Sequence, residues 1–146
     1  MSVQSVYLDT SAVVKRYILE EGSDKIDELY DEAHVGKIKL AFSIWNIGEV
    51  AVVLDKYHRM GVLENAKTVF SRFIGETRLL TKLGQLKFIP LNLKILTESI
   101  AYVFKHGIYI ADAIQLTSAK DFDNFLTFDK KLAQIAKIEG LKVMER

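Results

Sequence analysis

Short apolar runs alternate with longer amphipathic segments along this chain, and this alternation restricts its fold more than any other feature. Each run is followed by segments whose apolar residues recur at the spacing of an amphipathic helix. Because strands separated by helices pair in parallel, we predict an α/β fold with a parallel sheet and helices on both of its faces. The runs that favour strands are Val3–Leu8, Lys39–Ser43, Leu86–Leu91 and Phe125–Phe128.

Capping residues and glycines predict where the helices begin and end. Thr10 or Ser11 is expected to cap the first helix and Ser43 the third, because short polar side chains accept hydrogen bonds from the first helical N–H groups. Gly107 is expected to end the helix that Asn92 begins. The predicted helices are Ala12 to about Leu19, a segment from Ile26 to Ala33, Ile44 to about Met60, about Leu63 to Leu83, Asn92 to Gly107, Tyr109–Lys120 and Asp129–Ile138, with a last short strand at Leu141–Met144.

Composition restricts the class of protein. With 146 residues, of which 49% are hydrophobic, residues 1–146 are expected to form a single domain. The chain has no cysteine, which excludes disulfides, zinc–thiolate sites and thiol catalysis and fits a cytoplasmic protein. We find no pattern of a signal peptide and no run of about 18 apolar residues, so no membrane partner is expected. The net charge of +1 means that phosphate binding would depend on local basic groups.

Four acidic residues stand in or directly after apolar runs: Asp9, Glu49, Asp112 and Asp129. Carboxylates are rarely buried unless they are paired or bind a metal. Asp9 and Asp129 each follow a predicted strand, and parallel sheets bind ligands beyond the carboxyl ends of their strands. If the four carboxylates meet, their repulsion calls for a hard divalent cation, Mg²⁺ or Mn²⁺.

Each of these acids also has a simpler interpretation. Asp9, Asp112 and Asp129 can stabilise the first turn of a helix through its dipole. Glu49 can belong to an ion pair with a buried Arg or Lys. Asn46 lies three residues before Glu49 and shares its helix face. Gln115 lies three residues after Asp112 and can extend the polar face of that helix.

Carboxylates that bridge one or two divalent cations suit phosphodiester hydrolysis by a metal-activated water. Other families fit less well. The run Asp9-Thr10-Ser11 lacks the second acid of a haloacid-dehalogenase-type phosphatase, and the acidic pair of a response-regulator receiver is absent. Neither a phosphate-binding loop with Gly-Lys-Ser/Thr nor a dinucleotide-binding glycine motif occurs.

Four motifs, in order, resemble those of PIN-domain proteins, and the nearest subgroup is the VapC-like toxin ribonucleases of prokaryotic toxin–antitoxin pairs. The resemblance covers about residues 5 to 143. The motifs are Tyr7–Ala12 with Lys15–Tyr17, Ser43 with Glu49, Asp112–Leu116 with Ala119, and Phe125–Leu132 with Ala136 and Gly140–Leu141.

The resemblance implies an α/β/α sandwich around a mostly parallel sheet and an endoribonuclease that depends on Mg²⁺ or Mn²⁺. It implies an RNA substrate, a homodimer and a small antitoxin that neutralises the toxin. An RNA-processing nuclease that is not a toxin, and a PIN-like scaffold that binds RNA or protein without cleaving it, remain alternatives. The residues it assigns are Asp9, Glu49, Asp112 and Asp129 as metal ligands and catalytic acids, and Thr10, Ser11 and Thr127 as residues that orient them by hydrogen bonds. Lys15 and Arg16 follow Asp9 closely, and we expect them to contact RNA phosphates beside the metal.

Overall fold

A four-stranded, all-parallel sheet forms the centre of the protein, as the computed structural model of residues 3–145 shows. The spatial order of the strands is β3-β2-β1-β4, so the first strand lies inside the sheet between the second and the fourth. Val6 of the first strand is level with Leu40 on one side and Asn124 on the other. The strands are β1 (Gln4–Leu8), β2 (Ile38–Ser43), β3 (Leu86–Ile89) and β4 (Asn124–Leu126).

Helices connect the strands and cover both faces of the sheet, which confirms the predicted α/β/α sandwich. Within residues 3–145, none of these helices is both long and apolar enough to cross a membrane. The helices are α1 (Thr10–Val14), α2 (Ser23–His34), α3 (Trp45–Arg59), α4 (Ala66–Lys82), α5 (Leu93–His106), α6 (Ile110–Ala119) and α7 (Lys130–Ile138).

The side chains of β1 divide between two hydrophobic clusters, because successive residues of a strand point to opposite faces. Val6 and Leu8 belong to the cluster that α1 to α4 cover, together with the buried rings of Phe42 and Phe73. Tyr7 belongs to the cluster on the other face, which α6 and α7 fill and α5 borders. The sheet is therefore buried on both sides, as its continuous apolar runs predicted.

Among the predicted elements, two helix boundaries and one strand differ most from the structure. Helix α1 ends at Val14 rather than near Leu19, and the chain continues in turns. Helix α4 begins at Ala66 rather than at Leu63, because the Asn65 side chain caps it by accepting from the N–H of Thr68. The predicted strand Leu141–Met144 is reduced to one parallel bridge between Val143 and Phe125.

Candidate active site

Two of the four predicted acids follow adjacent parallel strands. Asp9 comes directly after β1, and Asp129 follows β4 after two further residues. Each caps the next helix: an Asp9 carboxylate oxygen accepts from the N–H of Ala12 at 3.0 Å, and that of Asp129 accepts from the N–H of Leu132 at 3.0 Å. The cap of the first helix is thus Asp9, not the Thr10 or Ser11 hydroxyl that its sequence predicted.

Asp9 is the most buried of these carboxylates, with 4% of its surface exposed. Its Oδ1 accepts from the Ser11 hydroxyl at 2.7 Å, and its Oδ2 accepts from the Thr127 hydroxyl. Burial raises the pKa of Asp9 to about 6; these hydrogen bonds oppose the rise, whereas the charge of Asp129 adds to it. Asp9 is therefore held rigidly in a place where its negative charge is poorly solvated.

The hydroxyls of Ser11 and Thr127 also connect the two strand ends. Besides donating to Asp9, the Ser11 Oγ accepts from the N–H of Phe128 at 2.9 Å. The Thr127 Oγ1 accepts from the N–H of Asp129 at 3.1 Å. Ser11 thus reaches the backbone after β4, and Thr127 reaches the carboxylate after β1, an arrangement that suits the orienting role the motifs suggested.

Glu49 faces the same place from α3. Its Oε1 accepts from the Thr10 hydroxyl at 2.7 Å, which connects it to the residue after Asp9. No Lys or Arg of residues 3–145 forms an ion pair with Glu49. The alternative interpretation of Glu49 as one half of a buried ion pair therefore has no partner in the described chain.

Asp112 lies in the first turn of α6 and is half-buried. Burial raises its pKa, the charges of Asp129 and Glu49 raise it further, and Lys131 opposes them. Asp112 thus lies close enough to two other acids for their charges to act on it.

All four acids line one cleft with a volume of about 610 Å³. Within residues 3–145, no three or more acidic or histidine side chains are positioned so that they could hold one metal ion together. The donors nevertheless fit Mg²⁺ or Mn²⁺, because they are hard carboxylate oxygens. Two of the acids, Asp129 and Glu49, raise the pKa of a neighbouring carboxyl group by their charge. The cleft also contains Lys15, Gln115 and an apolar wall that includes Val14, Trp45, Val52 and Val53.

A buried hydrogen-bond chain supports the cleft from below. The Gln115 side chain donates from Nε2 to Asn46 Oδ1 at 2.6 Å and accepts from the Tyr7 hydroxyl at 2.8 Å. Asn46 in turn donates from Nδ2 to the carbonyl of Leu8 at 3.1 Å. The spacing of three residues from Glu49 and Asp112 indicated the shared polar faces, but it did not indicate that Asn46 and Gln115 bind each other.

The two predicted phosphate contacts have other partners in the structure. Arg16 does not line the cleft: its guanidinium makes two hydrogen bonds to the Glu76 carboxylate, at 2.9 and 2.8 Å, and one to Asp27. Lys15 does line the cleft, but its ammonium lies 3.0 Å from Glu20. The charge of Arg16 is thus already balanced by carboxylates, and its contact with an RNA phosphate stays a prediction.

Comparison with known proteins assigns this fold to a family. A family model described as the PIN domain matches residues 6–138. No curated protein sequence matches the chain significantly.

Three solved structures have similar folds at low sequence identity. The Mycobacterium tuberculosis toxin VapC20, which cleaves the sarcin–ricin loop, is 13% identical with a TM-score of 0.65, over 89% of this chain and 94% of that one. A toxin–antitoxin complex from Klebsiella pneumoniae is 20% identical with a TM-score of 0.59, over 96% of both chains. VapBC2 of Rickettsia felis, bound to a promoter DNA fragment, is 15% identical with a TM-score of 0.58, over 97% and 98%. Because the PIN domain model matches most of its length, this chain belongs to the PIN domain family.

Proposed function

We propose that this protein is an endoribonuclease that depends on Mg²⁺ or Mn²⁺ and acts as the toxin of a type II toxin–antitoxin pair. The observation that carries the proposal is that Asp9 and Asp129 after two strands, and Glu49 and Asp112 on two helices, line one cleft. Membership of the PIN domain family and the likeness of the fold to VapC20 and to toxin–antitoxin complexes support it.

The four carboxylates would hold the metal in this mechanism. A bound Mg²⁺ or Mn²⁺ polarises the phosphate and lowers the pKa of a bound water. Asp9 keeps one orientation because Ser11, Thr127 and the N–H of Ala12 all donate to it. Thr10 holds Glu49 on the opposite wall by its 2.7 Å hydrogen bond. Because these hydroxyls and the N–H only donate, the carboxylates of Asp9 and Glu49 keep lone pairs that can bind a cation.

The partners we propose are RNA, a small antitoxin and a second copy of the chain. An antitoxin segment with an apolar face and a basic side chain suits a cleft that combines carboxylates with Trp45, Val52 and Val53. A homodimer suits α5, whose Leu93, Ile100 and Phe104 are exposed on one side of the helix. Light scattering on the purified protein measures the oligomeric state directly.

The deciding experiment is a cleavage assay on single-stranded RNA with the wild type and Glu49→Gln. We expect cleavage with Mg²⁺ or Mn²⁺, none after chelation, and a loss of at least about a hundredfold in Glu49→Gln, because losing a ligand costs more than losing a residue that only orients one. Thermal unfolding of Glu49→Gln should stay close to that of the wild type, since the change keeps the shape of the side chain and its bond to Thr10.

Glu64→Gln is the matched control, because Glu64 is exposed in the loop before α4 and outside the cleft. Bound but uncleaved RNA would support a scaffold instead. An unfolded Glu49→Gln protein would show that Glu49 is structural.

A further inference from the structure

One stripe of α3 forms a wall of the cleft over most of the length of the helix. The stripe contains Trp45, Glu49, Val52, Val53 and Lys56, which recur at helical spacing and all line the cleft. From Trp45 to Lys56 the helix rises about 16 Å. The cleft therefore extends well beyond the acids, and its wall changes in chemical character from one helical turn to the next.

The apolar residues of this stripe are unusually exposed. Val52 is 68% exposed and Trp45 is 38% exposed, although both lie beside a strongly acidic site. Apolar side chains on the wall of a charged cleft are stabilised when an apolar surface of a ligand covers them. Trp45, one turn before Glu49, and Val52 with Val53, one turn after it, each offer such an apolar surface.

The two lysines of the cleft differ in their availability. The Lys15 ammonium is 3.0 Å from Glu20 and lies over the Phe128 ring at 4.6 Å from its centroid. Lys56 is exposed, and no carboxylate of residues 3–145 forms an ion pair with it. Of these two ammonium groups, that of Lys56 is the one free to bind an anionic ligand.

The order along α3 is thus apolar, acidic, apolar, basic, with about one helical turn for each step. A single strand of RNA alternates in the same way between an apolar base and a charged phosphate. We propose that this stripe of α3 binds two successive unpaired nucleotides, with one base on Trp45, the scissile phosphate at Glu49, the next base on Val52 and Val53, and the following phosphate on Lys56.

The inference rests on the proposed function and adds to it a subsite on α3 for the nucleotides beside the scissile phosphate. Bases pack on apolar or aromatic side chains without regard to sequence. A base in a duplex is stacked and paired and cannot lie on the wall of the cleft. The protein should therefore bind single-stranded RNA more tightly than a duplex of the same length.

The test measures equilibrium binding by fluorescence anisotropy in a Glu49→Gln background, where cleavage does not disturb the measurement. The probes are a ten-nucleotide single-stranded RNA, its duplex, and a ten-residue ribose-phosphate backbone without bases. Val52→Ser is compared with Val35→Ser, because Val35 is 69% exposed and lies outside the cleft. Lys56→Gln is compared with Lys137→Gln, since both lysines lie in the last turn of a helix.

We expect Val52→Ser to weaken binding of the single-stranded RNA about tenfold and to leave binding of the abasic backbone unchanged, because only the base contacts Val52. Lys56→Gln should weaken both single-stranded probes and reduce the salt dependence by about one phosphate contact, a slope change of roughly 0.7. The two control variants should bind as the parent does.

The subsite is refuted if Val52→Ser behaves like Val35→Ser, or if it weakens the abasic backbone as much as the RNA. It is also refuted if no RNA binds, or if Val52→Ser weakens only an antitoxin-like peptide, which would make the stripe a protein-docking surface. Failure of the proposed function is a separate result: it appears as wild-type protein that does not cleave RNA, whatever the binding data show.

Discussion

At the scale of single residues, Asp9 has two functions that work against each other. As the cap of α1 it accepts from the N–H of Ala12 and stabilises the start of the helix. As a carboxylate that is only 4% exposed and close to Asp129, it carries a charge that burial disfavours. A residue that keeps an unfavourable charge in this way is typical of a site that binds a cation.

Asp9→Asn separates these two functions. The amide keeps an oxygen that can accept from Ala12 and Ser11 but removes the charge. We expect the protein without metal to be as stable as the wild type or more stable, cleavage to fall at least about a hundredfold, and the stabilisation by Mg²⁺ to decrease, because a ligand that binds only the folded state raises stability.

Thermal unfolding with and without Mg²⁺, together with the cleavage assay, measures all three effects. Asp24→Asn is the control, since Asp24 is an exposed residue in the first turn of α2. Cleavage by Asp9→Asn at the wild-type rate would remove Asp9 from the site.

At the scale of elements, a hydrogen bond between α3 and α6 holds the two helices that carry Glu49 and Asp112. Asn46 and Gln115 are fully or almost fully buried, at 0% and 3% exposure, and their side chains are 2.6 Å apart. Asn46 lies three residues from Glu49, and Gln115 lies three residues from Asp112, in each case on the same helix face. The bond therefore contributes to the separation of the two carboxylates across the cleft.

Gln115→Met should disturb this separation. Methionine is similar in length but removes the donor to Asn46 Oδ1 and the acceptor of the Tyr7 O–H, which costs about 1–3 kcal/mol of unfolding free energy. Half-maximal cleavage should then require more Mg²⁺. Denaturant unfolding and a Mg²⁺ titration measure the two effects, with the exposed Gln134→Met in α7 as the control. Equal stability of the two variants would contradict the prediction.

A second group of contacts joins the turns after α1 to α2 and α4 through Glu76. Its carboxylate accepts hydrogen bonds from the Arg16 guanidinium and, at 2.8 Å, from the Tyr17 hydroxyl. The His34 Nε2 lies 2.9 Å from the same carboxylate. Burial alone would raise the pKa of Glu76, but the hydrogen bonds from Arg16, His34 and Tyr17 outweigh it and hold the pKa at about 2. Arg16 thus stabilises the fold behind the cleft.

The low pKa of Glu76 predicts how stability depends on pH. A carboxyl group whose pKa is lower in the folded state stabilises the protein above its unfolded pKa, and that stabilisation is lost as the pH falls towards the folded pKa. We expect Glu76→Gln to lower the unfolding free energy by about 2 kcal/mol at pH 6, and the difference from the wild type to shrink between about pH 5 and pH 2. Urea unfolding across this range measures it, and a difference that does not change with pH would count against the network.

At the scale of the whole molecule, the acids and the apolar wall lie in one cleft, so a protein inhibitor and a cation would compete for the same groups. An antitoxin whose basic side chain reaches the acids would displace the metal. Its affinity should fall about tenfold when Mg²⁺ is present at ten times its own dissociation constant. Calorimetric titration of the partner, with and without Mg²⁺ and with Asp112→Asn, tests this. An affinity that neither change alters would place the inhibitor elsewhere.

Much of the fold was predictable because its signals are local. The apolar runs and the helical spacing predicted all four strands and the order of the helices, and Asn92 and Gly107 marked the ends of α5 as observed. One error was local, since the Asn65 cap that begins α4 was missed, and another came from contacts distant along the chain. The last predicted strand failed because its chain meets β4 only through backbone bonds between Phe125 and residues 142 and 144.

The sequence alone therefore determined which elements form and which acids stand out from their apolar surroundings, since both depend on residues within a few positions of one another. Tertiary structure decided which side chains meet. Asp9 contacts Thr127 across 118 positions of the chain, Asn46 contacts Gln115 across 69, and Arg16 contacts Glu76 across 60. No local pattern encodes such pairs, because they depend on the strand order and on how the helices pack across the sheet. The sequence beside Asp9 suggested a phosphate contact for Arg16, but it did not indicate that Glu76 and Asp27 balance the charge of Arg16 in the folded protein.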